Sequence, residues 1–256
     1  MYRLLLLACC FLSACSKSPT LKVMASPVPH AQMLEAVKPD LQEQGITLEI
    51  LVVEDYNVPN RALASREIDA NFFQHLPFLE EQVKQFHYPI QSLARVEIEP
   101  MGVYSKKISA LADLPEKGVI AIPNDPTNEG RALLLLEAQG VIKLGDVRQS
   151  LATPIDIAEN PKQLQFIEVD AAMLPRALDD VDAAVINTNY ALAIGLSPQR
   201  DALALESERS PYVNIIAVHT GDETRSDLQA LAKAMTSEKM RAFILETYQG
   251  AVLPAF

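Results

Sequence analysis

Short apolar runs alternate with stretches of helical periodicity along almost the whole of this chain, and the links between them are brief. Leu21–Ala25 reads as a buried strand and Ser26-Pro27-Val28-Pro29 as a turn. Ala31–Gln44 places Met33, Leu34, Val37 and Leu41 at helical spacing, with Gly45 as a C-cap. Pro39 is expected to bend or interrupt that helix. Ile46–Val53 supplies the next strand. Strand, helix and strand joined this tightly close as a right-handed crossover with the strands parallel, which commits the chain to the α/β class.

The pattern then runs twice. Pro59–Ser65 and Leu76–Phe86 read as helices and Leu93–Ile98 as a strand, and Glu99-Pro100-Met101-Gly102 marks a change of regime. After Val103 and Tyr104 the series starts over, with Val119–Pro123 as a strand and Arg131–Gln139 as a helix stopped by Gly140. Gln165–Val169, Met173–Leu178, Ala183–Asn187 and Tyr190–Ile194 continue the alternation. Val213–Val218, apolar throughout, suits a buried strand carrying the chain back, and helices over Leu228–Met235 and Met240–Tyr248 close it. The expectation is two α/β lobes, residues 21–101 with 212–256 and residues 102–211, joined by two crossings.

The stretch Ile68-Asp69-Ala70-Asn71-Phe72-Phe73-Gln74-His75 runs Asp-Ala into a buried strand that ends in polar groups, and Val181-Asp182-Ala183-Ala184-Val185-Ile186-Asn187 echoes it. Open α/β sheets bind ligands at the carboxyl ends of their strands, because groups there are not consumed by packing. The echo therefore suggests two lobes offering one strand end each to a shared cleft. Asp-Ala is also a common dipeptide, and coincidence gives the same pattern.

The chain opens with Arg3, an apolar run from Leu4 to Leu12 too short to span a bilayer, and small residues at Ser13 and Ala14. Leu12-Ser13-Ala14-Cys15 resembles a bacterial lipobox, which implies a signal peptide over residues 1–14, cleavage before Cys15, and lipid on the cysteine sulfur and new amine. Residues 15–20 then form a lipidated linker. All 3 cysteines, Cys9, Cys10 and Cys15, lie in or at the end of the leader. The body thus has no thiol for a disulfide, a thiolate metal site or a nucleophile, and stands on its core. Loss of Arg3 makes it one unit more acidic than the chain's net −11. That sign argues against nucleic acid and against a polybasic membrane patch. At 49% hydrophobic residues the chain can fill one large core or two modest ones.

Three segments carry chemistry. Pro123-Asn124-Asp125-Pro126-Thr127-Asn128-Glu129-Gly130-Arg131 is a turn-rich loop at the mouth of a helix. Helix N-termini suit anions and Arg131 can add a two-pronged donor for a carboxylate. A capped helix start with a solvated Arg131 fits the residues equally well. Tyr56, Phe73 and His75 make either an apolar wall with one polar tip or plain core with a satisfied loop histidine. Asn187 and Asn214, at strand ends, can accept from an ammonium, donate to a carboxylate, or simply cap. The body has no clustered histidines and no nucleophile elbow, so no catalytic residue, metal or cofactor is called for.

Together with the lipobox, Asp55-Tyr56, Pro59-Asn60-Arg61-Ala62-Leu63, Asp69-Ala70-Asn71, Phe73-Gln74-His75, Tyr104-Ser105-Lys106-Lys107, Pro123–Asn128, Gly130-Arg131, Ala184–Thr188 and Ser210-Pro211-Tyr212-Val213-Asn214 resemble the NlpA/MetQ family of substrate-binding lipoproteins. The resemblance implies a bilobal periplasmic-binding-protein fold with a two-strand hinge. It also implies methionine as ligand, an ABC permease and ATPase as partners, and a lipid anchor in the cell membrane or outer membrane. By position it places the ligand carboxylate on Arg131, its polar end near Asn187 and Asn214, and its side chain among Tyr56, Phe73 and His75. Ile98-Glu99-Pro100 departs from the Val-Tyr-Pro of many relatives, so an aromatic contact from that position is not expected here. Two other readings remain open: a binding lipoprotein for another small amino acid or apolar ligand, and an anchored surface protein without a transport role. The lipobox predicts that Cys15→Ser abolishes partitioning into detergent. Unchanged processing and extraction of that variant would remove the anchor assignment.

Overall fold

The computed structural model describes residues 20–146, 151–207 and 210–256. The leader, the cleavage site and Cys15 lie outside the described residues.

From β1 (Thr20–Ala25) the chain passes through the helix Gln32–Glu43 to β2 (Thr47–Val52), which pairs parallel with β1 as expected. The helix runs through Pro39 rather than stopping there. Pro39 is exposed, so water can satisfy the carbonyl it leaves without a donor. Next come the helix Val58–Ala64, β3 (Ala70–His75), the helix Leu76–Phe86 and β4 (Ile90–Ile98), which starts earlier than the expected Leu93.

The chain then enters a second sheet. Its strands are β5 (Gly102–Tyr104), β6 (Val119–Pro123), β9 (Gln165–Val169), β10 (Ala183–Ile186) and β11 (Ala204–Leu205), while β7 (Lys143–Leu144) and β8 (Ile157–Glu159) pair separately. After β11 the chain returns as β12 (Val213–His219) and ends with β13 (Leu253–Pro254). The first sheet runs β13-β4-β12-β3-β1-β2 and the second β11-β5-β10-β6-β9. Two segments, residues 99–101 and 206–212, connect them. The fold is bilobal α/β with a two-segment crossing.

Each sheet is covered on both faces, which is why β3 and β10 are buried along their whole length. In the first, Leu21, Val23 and Phe72 pack with Leu34, Leu231 and Ile244 of three helices, and Leu63, Leu79 and Ile215 form the core on the other face. In the second, Ile120 and Ile122 face Leu133 and Leu136, while Ala121, Ala184 and Ile186 face Leu174 and Tyr190. The two cores touch: Leu192 packs on the first and Tyr56 on the second.

The Asp-Ala echo has a physical basis. Asp69 accepts the backbone N–H of Lys22 at 2.9 Å, and Asp182 accepts that of Val119 at 2.8 Å. In both places the residue before a central strand ties down a strand beside it: β1 beside β3, and β6 beside β10. Asp182→Ala leaves that N–H without its partner and is expected to cost about 1 to 2 kcal/mol. Urea titration should place it at a lower midpoint with an unchanged slope, and an unmoved midpoint would deny the bond a structural role.

Candidate functional site

β3 ends at His75 and β10 at Ile186, one from each sheet, and the space between their ends is a cavity of about 340 Å³. All six residues expected at a ligand site, Tyr56, Phe73, His75, Arg131, Asn187 and Asn214, line it.

One wall is aromatic. Phe73 and His75 are two residues apart on β3, and Phe73 meets both Tyr56 (centroids 5.8 Å apart) and Phe78 (6.0 Å). Tyr56 also packs on Tyr190 of the second lobe at 5.1 Å, and its hydroxyl donates to Asn189 Oδ1 at 2.7 Å. The Tyr190 hydroxyl in turn donates to the backbone oxygen of Glu54. Tyr56 is therefore a contact between lobes as well as cavity wall.

His75 is more constrained than a loop histidine. Its Nδ1 accepts from Phe78 N at 3.1 Å, capping the helix Leu76–Phe86, so the ring proton sits on Nε2 and is donated to Asn128 Oδ1 at 3.1 Å. Burial, and then the nearby Arg131 charge, push the His75 pKa down to about 3, which keeps the ring neutral. Asn128 Oδ1 also receives Asn187 Nδ2 at 2.8 Å, and the Asn128 amide donates to both oxygens of Asp125 at 3.0 and 2.9 Å. Asn187 Oδ1 is buried and receives no hydrogen bond among the described residues.

Arg131 sits differently from the sequence expectation. The helix expected over Arg131–Gln139 begins at Pro126, with Asp125 as N-cap accepting Asn128 N at 3.0 Å. Its first turn is thus closed by its own Asp125, and Arg131 lies in the second turn. The side chain is buried against Tyr212, with Cζ 4.4 Å from the ring centroid. Nε and Nη2 donate to the Glu206 carboxylate, the shortest contact being 2.5 Å, and Nη2 also reaches the Glu99 backbone oxygen at 2.7 Å. Only Nη1 has no acceptor among the described residues. Arg131 is neither the solvated residue nor the free two-pronged fork that the sequence allowed.

Sequence reasoning missed a further group. His30 and Glu99 line the cavity, and Glu97 lies beside them. His30 Nε2 is 3.2 Å from Glu99 Oε1, 3.4 Å from Glu97 Oε1 and 3.4 Å from Asn214 Oδ1, while its Nδ1 contacts Ser26 Oγ at 2.6 Å. Burial raises the Glu97 pKa to about 8, raises that of Glu99 and lowers that of His30. The cluster surrounds a point suited to positive charge. Glu99 was visible in the sequence as a departure, but nothing local pairs it with His30, far upstream.

The model of the family described as NlpA lipoprotein matches residues 21–256. The chain belongs to the NlpA lipoprotein family. The methionine-binding lipoprotein MetQ of Bacillus subtilis (strain 168) is 41% identical over 237 residues, covering 91% of this chain and 86% of that protein. Among solved structures, a nutrient binding protein from Burkholderia cenocepacia bound to methionine is 48% identical with a TM-score of 0.89, covering 92% of this chain and 100% of that one. An ABC transporter periplasmic substrate-binding protein from Coxiella burnetii is 44% identical with a TM-score of 0.87, over 92% of this chain and 100% of that one. These NlpA relatives are named as binding proteins, and among the described residues no helix is long and apolar enough to cross a membrane.

In this family member Glu97 sets a pH dependence. Its folded-state pKa lies above the ordinary 4.5, so the folded protein holds a proton that the unfolded chain releases between pH 4.5 and about 8. The stabilisation is complete below pH 4.5 and is lost as pH rises toward 8. Glu97→Gln cannot ionise, so the wild type should lose roughly one to a few kcal/mol relative to it across that window. Parallel melting curves of the two proteins from pH 5 to 8 would show this as a Tm gap that changes steadily in favour of Glu97→Gln. A constant gap would show that Glu97 keeps one protonation state throughout.

Proposed function

We propose that this protein is the binding component of an ABC importer, anchored by lipid at Cys15 to the cell membrane or outer membrane, and that it captures methionine between its lobes and delivers it to a permease and ATPase. The lobes are residues 21–101 with 212–256 and residues 102–211, and the two crossings between them serve as the hinge. The observation that carries the reading is that all six expected side chains, scattered from Tyr56 to Asn214, line one small cavity in a chain 48% identical to a methionine-bound relative.

The cavity suits a zwitterion with an apolar tail. The ligand carboxylate takes the Nη1 side of Arg131, with Asn187 and Asn214 at the polar end. Glu206 holds the guanidinium in place, so the donor is oriented before the ligand arrives. The tail lies among Tyr56, Phe73 and His75, where a thioether gains roughly 0.3 to 1.5 kcal/mol per aromatic contact. A binding role is supported by His75, which is held neutral and engaged in two hydrogen bonds.

Calorimetric titration of the ligand-stripped protein with methionine and leucine tests the reading. Methionine should bind and leucine bind more weakly, by about 1 to 3 kcal/mol. Absence of methionine binding would overturn it. Arg131→Lys keeps the charge near Glu206 but loses the planar fork, and should cost about 1 to 3 kcal/mol of methionine affinity. Arg131→Ala should cost about 2 to 5 kcal/mol. Because Arg131 is buried and paired with Glu206, thermal melts without ligand must accompany both. Wild-type affinity in either folded variant would remove Arg131 from the site.

A further inference from the structure

Glu99 is the first residue of the crossing after β4, and its side chain borders the ligand cavity. Its Oε1 is buried with His30 Nε2 3.2 Å away, and its carboxyl shares a hydrogen bond with that of Glu97. Its neighbours offer little positive charge. Glu97 is a second carboxyl, Asn214 offers an amide oxygen, and burial keeps His30 from carrying a proton of its own. Among the described residues Arg131 is the one Lys or Arg lining the cavity, and Glu206 already pairs with it. A buried carboxylate without a cation is costly, so this wall calls for positive charge from whatever occupies the cavity.

The positive group is adjacent to the carboxylate-binding one. Arg131 Nη2 donates to the backbone oxygen of Glu99, 2.7 Å away, and both residues line the same small cavity. An α-amino acid carries its two charges on groups attached to one carbon, so it needs an anion-binding and a cation-binding group close together. We infer that Glu99 accepts a hydrogen bond from the ligand's α-ammonium group, with Asn214 Oδ1 as the second acceptor, so that a free α-amino group is required for tight binding. The inference rests on the reading that the ligand is a free amino acid. Glu97 does not line the cavity, and its part is to sit behind Glu99 with His30 and hold that carboxyl in position. An arriving ammonium supplies the charge that otherwise only a proton brings, in keeping with the raised pKa of Glu99, whose largest cause is burial.

The experiment is titration of ligand-stripped wild type and Glu99→Gln with methionine and with its des-amino analogue, 4-(methylthio)butanoic acid, in buffer containing EDTA. Wild type should prefer methionine by about 100-fold or more, and Glu99→Gln should lose about 10- to 100-fold for methionine while its affinity for the analogue stays within about threefold. A folded Glu99→Gln that keeps the full preference overturns the inference and leaves the methionine reading intact. Failure of the wild type to bind methionine overturns both. Binding that EDTA abolishes and a divalent cation restores assigns the cluster to a metal ion and also overturns it. Should Glu99→Gln fail to fold, wild type with 13C-labelled glutamate carboxyls gives the same answer. One buried resonance should move with methionine and not with the analogue, and an unmoved set overturns the inference.

Discussion

The guanidinium of Arg131 is the interaction on which the arrangement turns. It projects from a helix of the second lobe and is gripped by both connections between the lobes: the backbone oxygen of Glu99 in one, and Glu206 with the ring of Tyr212 in the other. A charge buried this deeply requires partners, and Arg131 takes them from residues of both crossings.

Around that charge the site is built mostly of neutral polar groups in a fixed donor order. Asp125 caps its helix and accepts the Asn128 amide, Asn128 accepts from both His75 and Asn187, and His75 spends its other nitrogen capping a helix of the first lobe. Every member has a direction imposed by its neighbour, which fixes the histidine tautomer and leaves Asn187 Oδ1 as a buried acceptor. Beside Arg131 the wall has another character. His30, Glu97 and Glu99 crowd two carboxyls and an imidazole where burial opposes charge on all three.

The sequence by itself determined the α/β class, the doubling of the strand-and-helix series, the return strand and the closing helices, because hydrophobic period and turn residues act over a few neighbours. It also marked Asp69 and Asp182, whose identical use is a local property of how a strand begins. Where local rules compete it went astray. Asp125-Pro126 is an N-cap and first helical residue, yet it read as part of a loop, and the interruption that Pro39 allowed does not occur in a helix whose solvent-facing side tolerates it. Tyr56, Phe73 and His75 could be core or cavity, and sequence has no means to choose, since both want the same apolar residues. Only the tertiary structure decided that, by bringing the ends of β3 and β10 face to face. It alone set His30 against Glu97 and Glu99, and Arg131 against Glu206, because a buried charge chooses its partner by proximity in space and carries no trace of that choice in the residues beside it.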